Sequence, residues 1–599
     1  MADSVDPIRY HRERLEARRA DKARRERADL RLSRARLATA LALVALALAS
    51  LWQGWLSAWW LAAPAALFAG LVVVHNRVIR LLQAASRRVG WHELGLARLE
   101  DRWVGRGETG ARFQAGDHPY ALDLDILGNG SLFQLLSTGQ TAAGEETLAR
   151  WLLEGADAGT VRGRQAAVRD LASRPPFREE LYTLGADVRA AVDSARLADW
   201  ATAPAQLDTG RLRMAAAVLS GAAVAALAAW LAGRAPGVLP AVLVLGNVLV
   251  GGFFRGAVSR VLHGSAEPAR ELAVLGAVVG RVRGESFAAD RMRQLAGDLG
   301  ETGDPVRAVR QLGRLIEMHD WQHNILFAPI AALVLWGLHC GTAVEAWRER
   351  HGQAVTAWLR IAGEIEALAS LATYHFGRPD QPFPELREGK TPVCEGEQLA
   401  HPLLPAGAVA NDVALGAGPQ LLVVSGSNMA GKTTLLRTVG VNAVLALAGA
   451  PVRARRLRLT PLAIGGTLRV QDSLLDGRSR FYAEITRLRR LVDMARGAAP
   501  LLFLLDELFH GTNSSDRLDG AHGVLRYLLE LGAIGLITTH DLALAALADR
   551  LAPAAANVHF EDQLAAGGAM TFDYRLRPGR STGTNALALM AAVGLDVSR

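Results

Sequence analysis

Cysteine is nearly absent from this chain of 599 residues, with Cys340 and Cys394 its only two. That excludes a disulfide framework or a Cys-rich zinc centre and fits a reducing compartment. Lysine is almost as scarce: of 67 basic residues only Lys22, Lys390 and Lys432 are lysine. A lysine that remains marks a place where a compact, rotatable charge does what a planar guanidinium cannot. Charged residues make up 21% of the chain against 50% hydrophobic, which excludes wholesale disorder. At about 150 residues per domain the length suggests roughly four domain-sized units. The net charge is +8, but residues 1–36 hold 12 basic and 7 acidic side chains and so account for +5 of it. A basic balance concentrated in one terminal segment is weak support for nucleic-acid binding.

The longest absence of charge runs from Leu37 to Asn76, where no Asp, Glu, Lys or Arg occurs. It divides at Gln53-Gly54 into Leu37–Trp52 and Ser57–Val74, each near the length of about 17–25 residues that spans a bilayer. Trp52, Trp55, Trp59 and Trp60 cluster at the turn, as at a membrane interface. Met214–Ala232 and Ala235–Phe254 form a second uncharged pair around Gly233-Arg234. The reading is two transmembrane hairpins. Arginines at both ends of each (Arg31, Arg34, Arg36, Arg77, Arg80, Arg87 and Arg88; Arg211, Arg213, Arg255 and Arg260) place the large segments in the cytoplasm, in a multi-pass protein of the inner membrane. Thr39, Ser50, Ser220 and Asn247 are too few polar residues for a hydrated pathway. Ile325–Leu338 is apolar but short and contains Pro329, and reads as a buried helix. Residues 1–36 read as a solvated basic helix that can also meet anionic headgroups.

A different signal begins at Leu421. Leu421–Ser425 is a buried-strand pattern, and Gly426-Ser427-Asn428-Met429-Ala430-Gly431-Lys432-Thr433 then matches G-x-x-x-x-G-K-[ST], with a helix from Thr434. Such a loop closes backbone N–H groups on phosphates. Lys432 would reach the β- and γ-phosphates and Thr433 would offer its hydroxyl to Mg²⁺. A second apolar strand, Leu501–Leu505, ends in Asp506 and Glu507, one to hold Mg²⁺ and one to orient or deprotonate the attacking water. A third, Ala533–Thr539, ends in His540, placed as a γ-phosphate sensor.

From His401-Pro402 onward these residues resemble the ATPase domain of the MutS family of DNA mismatch repair proteins. The resemblance rests on the P-loop Ser427–Thr433, the signature-like segment Asp472–Glu484, Asp506–Asp516, Thr539-His540 and Ala556–His559. It implies that Asn428 sits beside the phosphates and that Ser479 reaches the γ-phosphate bound on a second subunit. Two chains would then sandwich two nucleotides, with Gly511–Asp516 at the seam. Leu124–Leu136, Thr147–Leu153 and Val161–Val168 resemble more weakly the start of the family's helical core. The departures are large. The room before residue 120 holds a basic helix and a hairpin instead of a mismatch-reading domain and connector. The family's Phe-x-Glu string occurs only at Phe177–Glu179 and Phe383–Glu385. The second hairpin stands where levers and clamp would be inserted. Ala408-Val409 occupies the usual place of a larger residue against adenine, so base stacking would be weaker. An end at Arg599 would leave little of a C-terminal dimerisation element.

The expected fold is an α/β P-loop NTPase domain (396–599) joined to an α-helical core (76–211 and 256–395), with a basic helix (1–36) and two hairpins (37–75 and 212–255). The expected function is a membrane-anchored ATPase that hydrolyses ATP with Mg²⁺ in a composite site. Its partners would be a second copy of the chain, membrane lipid and a protein not identified by the sequence. A tethered DNA-binding repair ATPase and an ABC-like transporter motor are the alternatives.

Overall fold

The structure is a computed structural model and describes residues 6–53, 58–184, 194–301, 303–323, 327–389, 391–427, 429–469, 480–509, 514–564 and 570–581. The helices of its first two thirds are α1 (Pro7–Gln53), α2 (Ala62–Leu99), α3 (Leu132–Leu136), α4 (Ala142–Leu153), α5 (Ala158–Ala172), α6 (Pro175–Leu184), α7 (Ser194–Thr202), α8 (Arg211–Leu231), α9 (Val238–Arg283), α10 (Asp290–Glu301), α11 (Pro305–Asp320), α12 (Ala328–Leu333) and α13 (Trp336–Gly377). The chain divides into two compact units. One comprises residues 1–103 and 175–189, the other 104–174 and 190–599.

In the smaller unit α1 packs along α2, and α6 closes against α2. The basic segment and the first apolar run are a single 47-residue helix rather than two elements. The close approach of the pair is built in at Gly95, where a Cβ would lie 2.4 Å from the His11 ring. His11 Nδ1 lies 3.0 Å from His92 Nδ1, and Glu179 takes Arg18 at 2.8 Å. Burial and the neighbouring His92 push the His11 pKa down to about 3, so His11 is neutral at ordinary pH. Phe177 and Glu179 are therefore packing and pairing residues of α6.

Four helices among the described residues, α1, α2, α8 and α9, are long and apolar enough to cross a membrane by length and composition. Their apolar faces are exposed. Val218, Val242, Leu245, Leu249 and Phe253 all face outward from the α8–α9 pair, whose turn uses the positive φ of Gly233. The expectation of a buried helix at Ile325–Leu338 is met only in part. Within its described residues 327–338, the six-residue α12 has no buried residue, a break follows at Leu335 (φ 47°), and Leu335 and Leu338 are buried. Helix α12 packs against α8, α9 and α13.

The axis of the larger unit is α13, with 42 residues. It packs against α4, α5, α7, α8, α9, α10 and α11. Glycines set the tightest contacts: a Cβ on Gly363 would lie 2.7 Å from Ala143 O, and one on Gly352 would lie 2.1 Å from Ala201 O. Arg348 binds Glu345 at 3.0 Å and donates to the carbonyls of Trp200 within α7 and Ala203 just beyond it. Near its other end Glu366 Oε2 accepts from Gln140 N, Thr141 N and Thr141 Oγ1 at 3.1, 3.0 and 3.0 Å. A carboxyl group is thus set at the α4 N-terminus, where the helix dipole favours negative charge.

Two sheets follow. The strands are β1 (Glu385–Leu386), β2 (Cys394–Leu399), β3 (Asn411–Leu415), β4 (Leu421–Ser425), β5 (Arg456–Leu459), β6 (Ala463–Thr467), β7 (Leu501–Asp506), β8 (Ile534–Thr539), β9 (Ala555–Leu564) and β10 (Met570–Pro578). A small sheet has the order β1-β5-β2-β3, and the main sheet has the order β10-β9-β4-β8-β7-β6. In the main sheet β9-β4-β8-β7-β6 are parallel and β10 adds antiparallel. Helices α14 (Lys432–Ala448), α15 (Arg480–Ala495) and α16 (Ser514–Glu530) complete it. The near-continuous apolar runs of β4, β7 and β8 are what a parallel sheet covered on both faces requires. The mixed α/β domain joined to a helical region agrees with the architecture read from the sequence.

Burial raises the Glu366 pKa to about 7, opposed by its bonds to Thr141 and Gln140. A carboxyl held above its unfolded value of about 4.5 contributes full stability below that pH and loses it as pH rises through about 7. Glu366→Gln keeps an acceptor oxygen without the charge. Its melting temperature relative to the parent chain should therefore rise between about pH 4.5 and 7. Parallel pH profiles would show that the carboxyl carries no such linkage.

Candidate nucleotide site

The parallel order of β4, β8 and β7 brings three strand ends to one edge, where ligands of open α/β sheets bind. From β4 the chain turns through Gly426 (φ 147°) and Gly431 (φ 100°) into α14. The positive φ at both glycines disfavours any residue with a Cβ, and the space beside each is tight. A Cβ on Gly426 would lie 3.1 Å from Phe560 O, and one on Gly431 would lie 3.2 Å from the Tyr574 ring. Lys432 is the first residue of α14 and is buried, with Nζ donating to Gly426 O and Ser427 O at 2.8 Å each. Burial lowers its pKa while Glu507 and Asp506 act to raise it. Its charge therefore faces two carboxylates inside a curled loop.

The next residue, Thr433, donates from Oγ1 to Asp506 Oδ2 at 2.9 Å. The hydroxyl and carboxylate expected to hold Mg²⁺ thus come together from the α14 N-terminus and the end of β7. This oxygen pair is the hard donor chemistry that Mg²⁺ prefers. Glu507 follows with φ 49°, a left-handed conformation that turns its side chain off the strand axis. Its Oε1 lies 3.0 Å from His540 Nδ1 at the end of β8, so the carboxylate assigned to water and the histidine assigned to sensing are partners. Thr434 continues α14, and Met429 and Ala430 lie on the loop, Met429 strongly exposed with φ 74° and Ala430 buried. Asn428 and Ser479, like Asp472–Gly477 and Gly511–Asn513, lie outside the described residues.

A cavity of about 720 Å³ opens beside the loop, lined among others by Lys432, Thr433, Glu507, His401 and Tyr574. Ala408 and Val409 line it too, and no large side chain enters from that segment. Aromatic rings come instead from Phe560 of β9 and Tyr574 of β10. A register shift between Phe572 and Leu576 lets Tyr574 adopt φ 54°, and Asn411 pins the bulge by donating to Tyr574 O at 3.0 Å and accepting from Leu576 N at 2.7 Å. Burial lowers the His401 pKa to about 4, so this wall is neutral at ordinary pH.

Sequence reading missed Tyr574, Asn411 and Thr538. In the β7–β8 register Asp506 faces Thr538, whose Oγ1 donates to Asp506 Oδ1 and accepts from Glu507 N at 3.2 Å. One hydroxyl thus orients both acidic residues. Glu484 of α15 is a further support, taking Phe509 N at 2.6 Å just after the acidic pair.

Residues 422–597 match the MutS domain V family. Over 248 residues the chain is 34% identical to the DNA mismatch repair protein MutS of Natronomonas pharaonis, covering 40% of this chain and 27% of that protein. Over 263 residues it is 31% identical to the DNA mismatch repair protein MutS 2 of Halobacterium salinarum, covering 42% and 28%. The chain thus spans little more than a quarter of the length of these relatives.

Thr538→Val keeps the strand's shape and removes the hydroxyl. Under the ATPase activity expected from the sequence, losing its two bonds should lower the maximal hydrolysis rate about 10- to 100-fold while nucleotide affinity stays near that of the parent. An unchanged rate would remove Thr538 from the site.

Proposed function

We propose that residues 422–597, which match MutS domain V, form an ATPase domain of the MutS family, and that the chain is a membrane-anchored ATPase that converts nucleotide binding into movement of its helical region. The observation that carries this reading is the 2.9 Å contact of Thr433 with Asp506, beside Lys432 and under the Glu507–His540 pair. In it ATP lies in the cavity between the phosphate loop and Tyr574. The N–H groups at the α14 N-terminus face its phosphates, and Lys432 exchanges its two carbonyl partners for phosphate oxygens. Thr433 and Asp506 would hold Mg²⁺, which when bound would neutralise charge on the phosphates. Glu507 orients the attacking water and accepts its proton, with His540 keeping the carboxylate in place. Ser479 of a second copy completes the site in this reading, which makes the ATPase a dimer.

Two tethers support coupling to the helical region. Leu124 is inserted where Gly440 of α14 leaves room, since a Cβ there would meet it at 2.8 Å. Asp125 binds Arg437 of α14 at 3.1 Å and Arg469 at 3.0 Å, while the buried Asp123 faces Arg487 of α15 at 3.3 Å. Helix α14 also packs on α4 and α5, and these pack on α13. Closure around nucleotide therefore reaches α13 and, through it, α8 and α9, which in this reading cross the inner membrane with the ATPase domain in the cytoplasm.

The names of the relatives favour a second reading, a tethered ATPase that acts on DNA. One assay separates the two: ATP turnover by the full chain in lipid nanodiscs, with and without matched and mismatched duplexes. Mg²⁺-dependent turnover indifferent to DNA is expected, and stimulation by duplex would favour the second reading. Lys432→Ala and Glu507→Gln should each abolish turnover, with Glu507→Gln retaining bound ATP. Normal hydrolysis in either variant would remove this site assignment.

A further inference from the structure

The residues from Trp321 to Val344 include no Asp, Glu, Lys or Arg, yet α12, within that run, is neither long enough to span a bilayer nor buried. Its neighbours define its level. Asn247 Nδ2 donates to Leu333 O at 2.7 Å, Ser220 Oγ lies 3.2 Å from His339 Nε2, and a Cβ on Gly251 would lie 3.6 Å from Leu335. Asn247 stands eight residues before Arg255, and Ser220 seven after Arg213. At 1.5 Å per residue those are depths of about 12 and 10 Å from the flanking arginines, against a hydrocarbon half-thickness of about 15 Å.

We propose that residues 327–341 form a re-entrant element that dips from the cytoplasmic face beside α8 and α9, turns at Leu333–Leu335 and lies against the acyl chains of that leaflet. The proposal rests on the membrane reading of α8 and α9. Irregular backbone at membrane depth is tolerated only where protein satisfies it, and the carbonyls that end α12 have no partner within their own helix. Asn247, 2% exposed in an otherwise apolar stretch, supplies the donor. Two of the few polar residues in the spans thereby acquire a purpose other than a transport pathway. The opposite side of α12, with Ile330 51% exposed, continues the outward apolar surface of Val242, Leu245 and Leu249. Trp321 and Trp336 stack at 6.3 Å and Phe327 meets Trp336 edge-on at 5.2 Å, an aromatic group suited to the headgroup boundary. Helix α13 begins at this turn and runs about 63 Å to the ATPase domain. A shift at the nucleotide end would therefore change how deeply the element wedges one leaflet.

The test uses the full-length protein in liposomes with a nitroxide on one introduced cysteine, since Cys340 and Cys394 are buried. Ile330→Cys is compared with Val242→Cys on α9 and Arg310→Cys on α11, reading relaxation by oxygen against a water-soluble nickel chelate. Oxygen preference at position 330, several-fold above that at 310 and similar to that at 242, is expected. Asn247→Leu should increase label mobility at 330. Nickel access at 330 with oxygen preference at 242 would overturn the re-entrant element and leave the spans intact. Nickel access at both would remove the membrane reading, and the element with it.

Discussion

The carboxyl group of Glu366 is the contact on which the larger unit depends. It sits in the flank of a 42-residue helix and satisfies three donors at the start of α4. Gly144 and Gly363 let the two helices come close enough for that group to reach. Glu366 is thus bound to the start of α4 by three hydrogen bonds where the two helices lie close together. Because α4 also touches α14, the phosphate-loop helix is held against the same rod that begins beside the candidate spans. Rigid coupling between distant ends requires a continuous chain of packed elements, and α14, α4 and α13 provide one.

At the nucleotide site the division of labour is between backbone and hydroxyl groups. Glycines at positive φ and a left-handed Glu507 place the charged groups. Thr433 and Thr538 then fix the two oxygens of Asp506 from opposite sides. Arginine serves elsewhere, in the forks that bind Asp123 and Asp125 and clamp the sheets to the segment before α3. The scarcity of lysine is informative for that reason: the buried Nζ of Lys432 lies between two carbonyls, where a planar guanidinium would not turn.

The apolar surface follows another constraint. Large apolar side chains are left exposed along α8, α9 and α12, among them Val218, Val242, Leu249, Phe253 and Ile330, and such a concentration marks an interaction surface. Where the backbone breaks near that face, a polar side chain is supplied from the neighbouring helix. Asn247 at Leu333 is the best defined case, and it explains a residue that is out of place in an apolar segment.

The sequence by itself determined the uncharged helices, the phosphate loop, the acidic pair and the histidine after β8, along with the identities of β4, β7 and β8. Each of these depends on residues within one turn, one strand or one loop, where spacing and chemistry are read together. It was only partly right at Ile325–Leu338, where Leu335 and Leu338 are buried but no residue of α12 is, because a short apolar run looks the same whether or not protein encloses it. Tertiary structure alone decided that Thr538 faces Asp506, that a bulge carries Tyr574 to the cavity, and that Glu366 reaches Thr141 across 225 positions. Strand register and helix contacts join distant parts of the chain, and the local pattern of apolar and polar residues does not encode which of them meet.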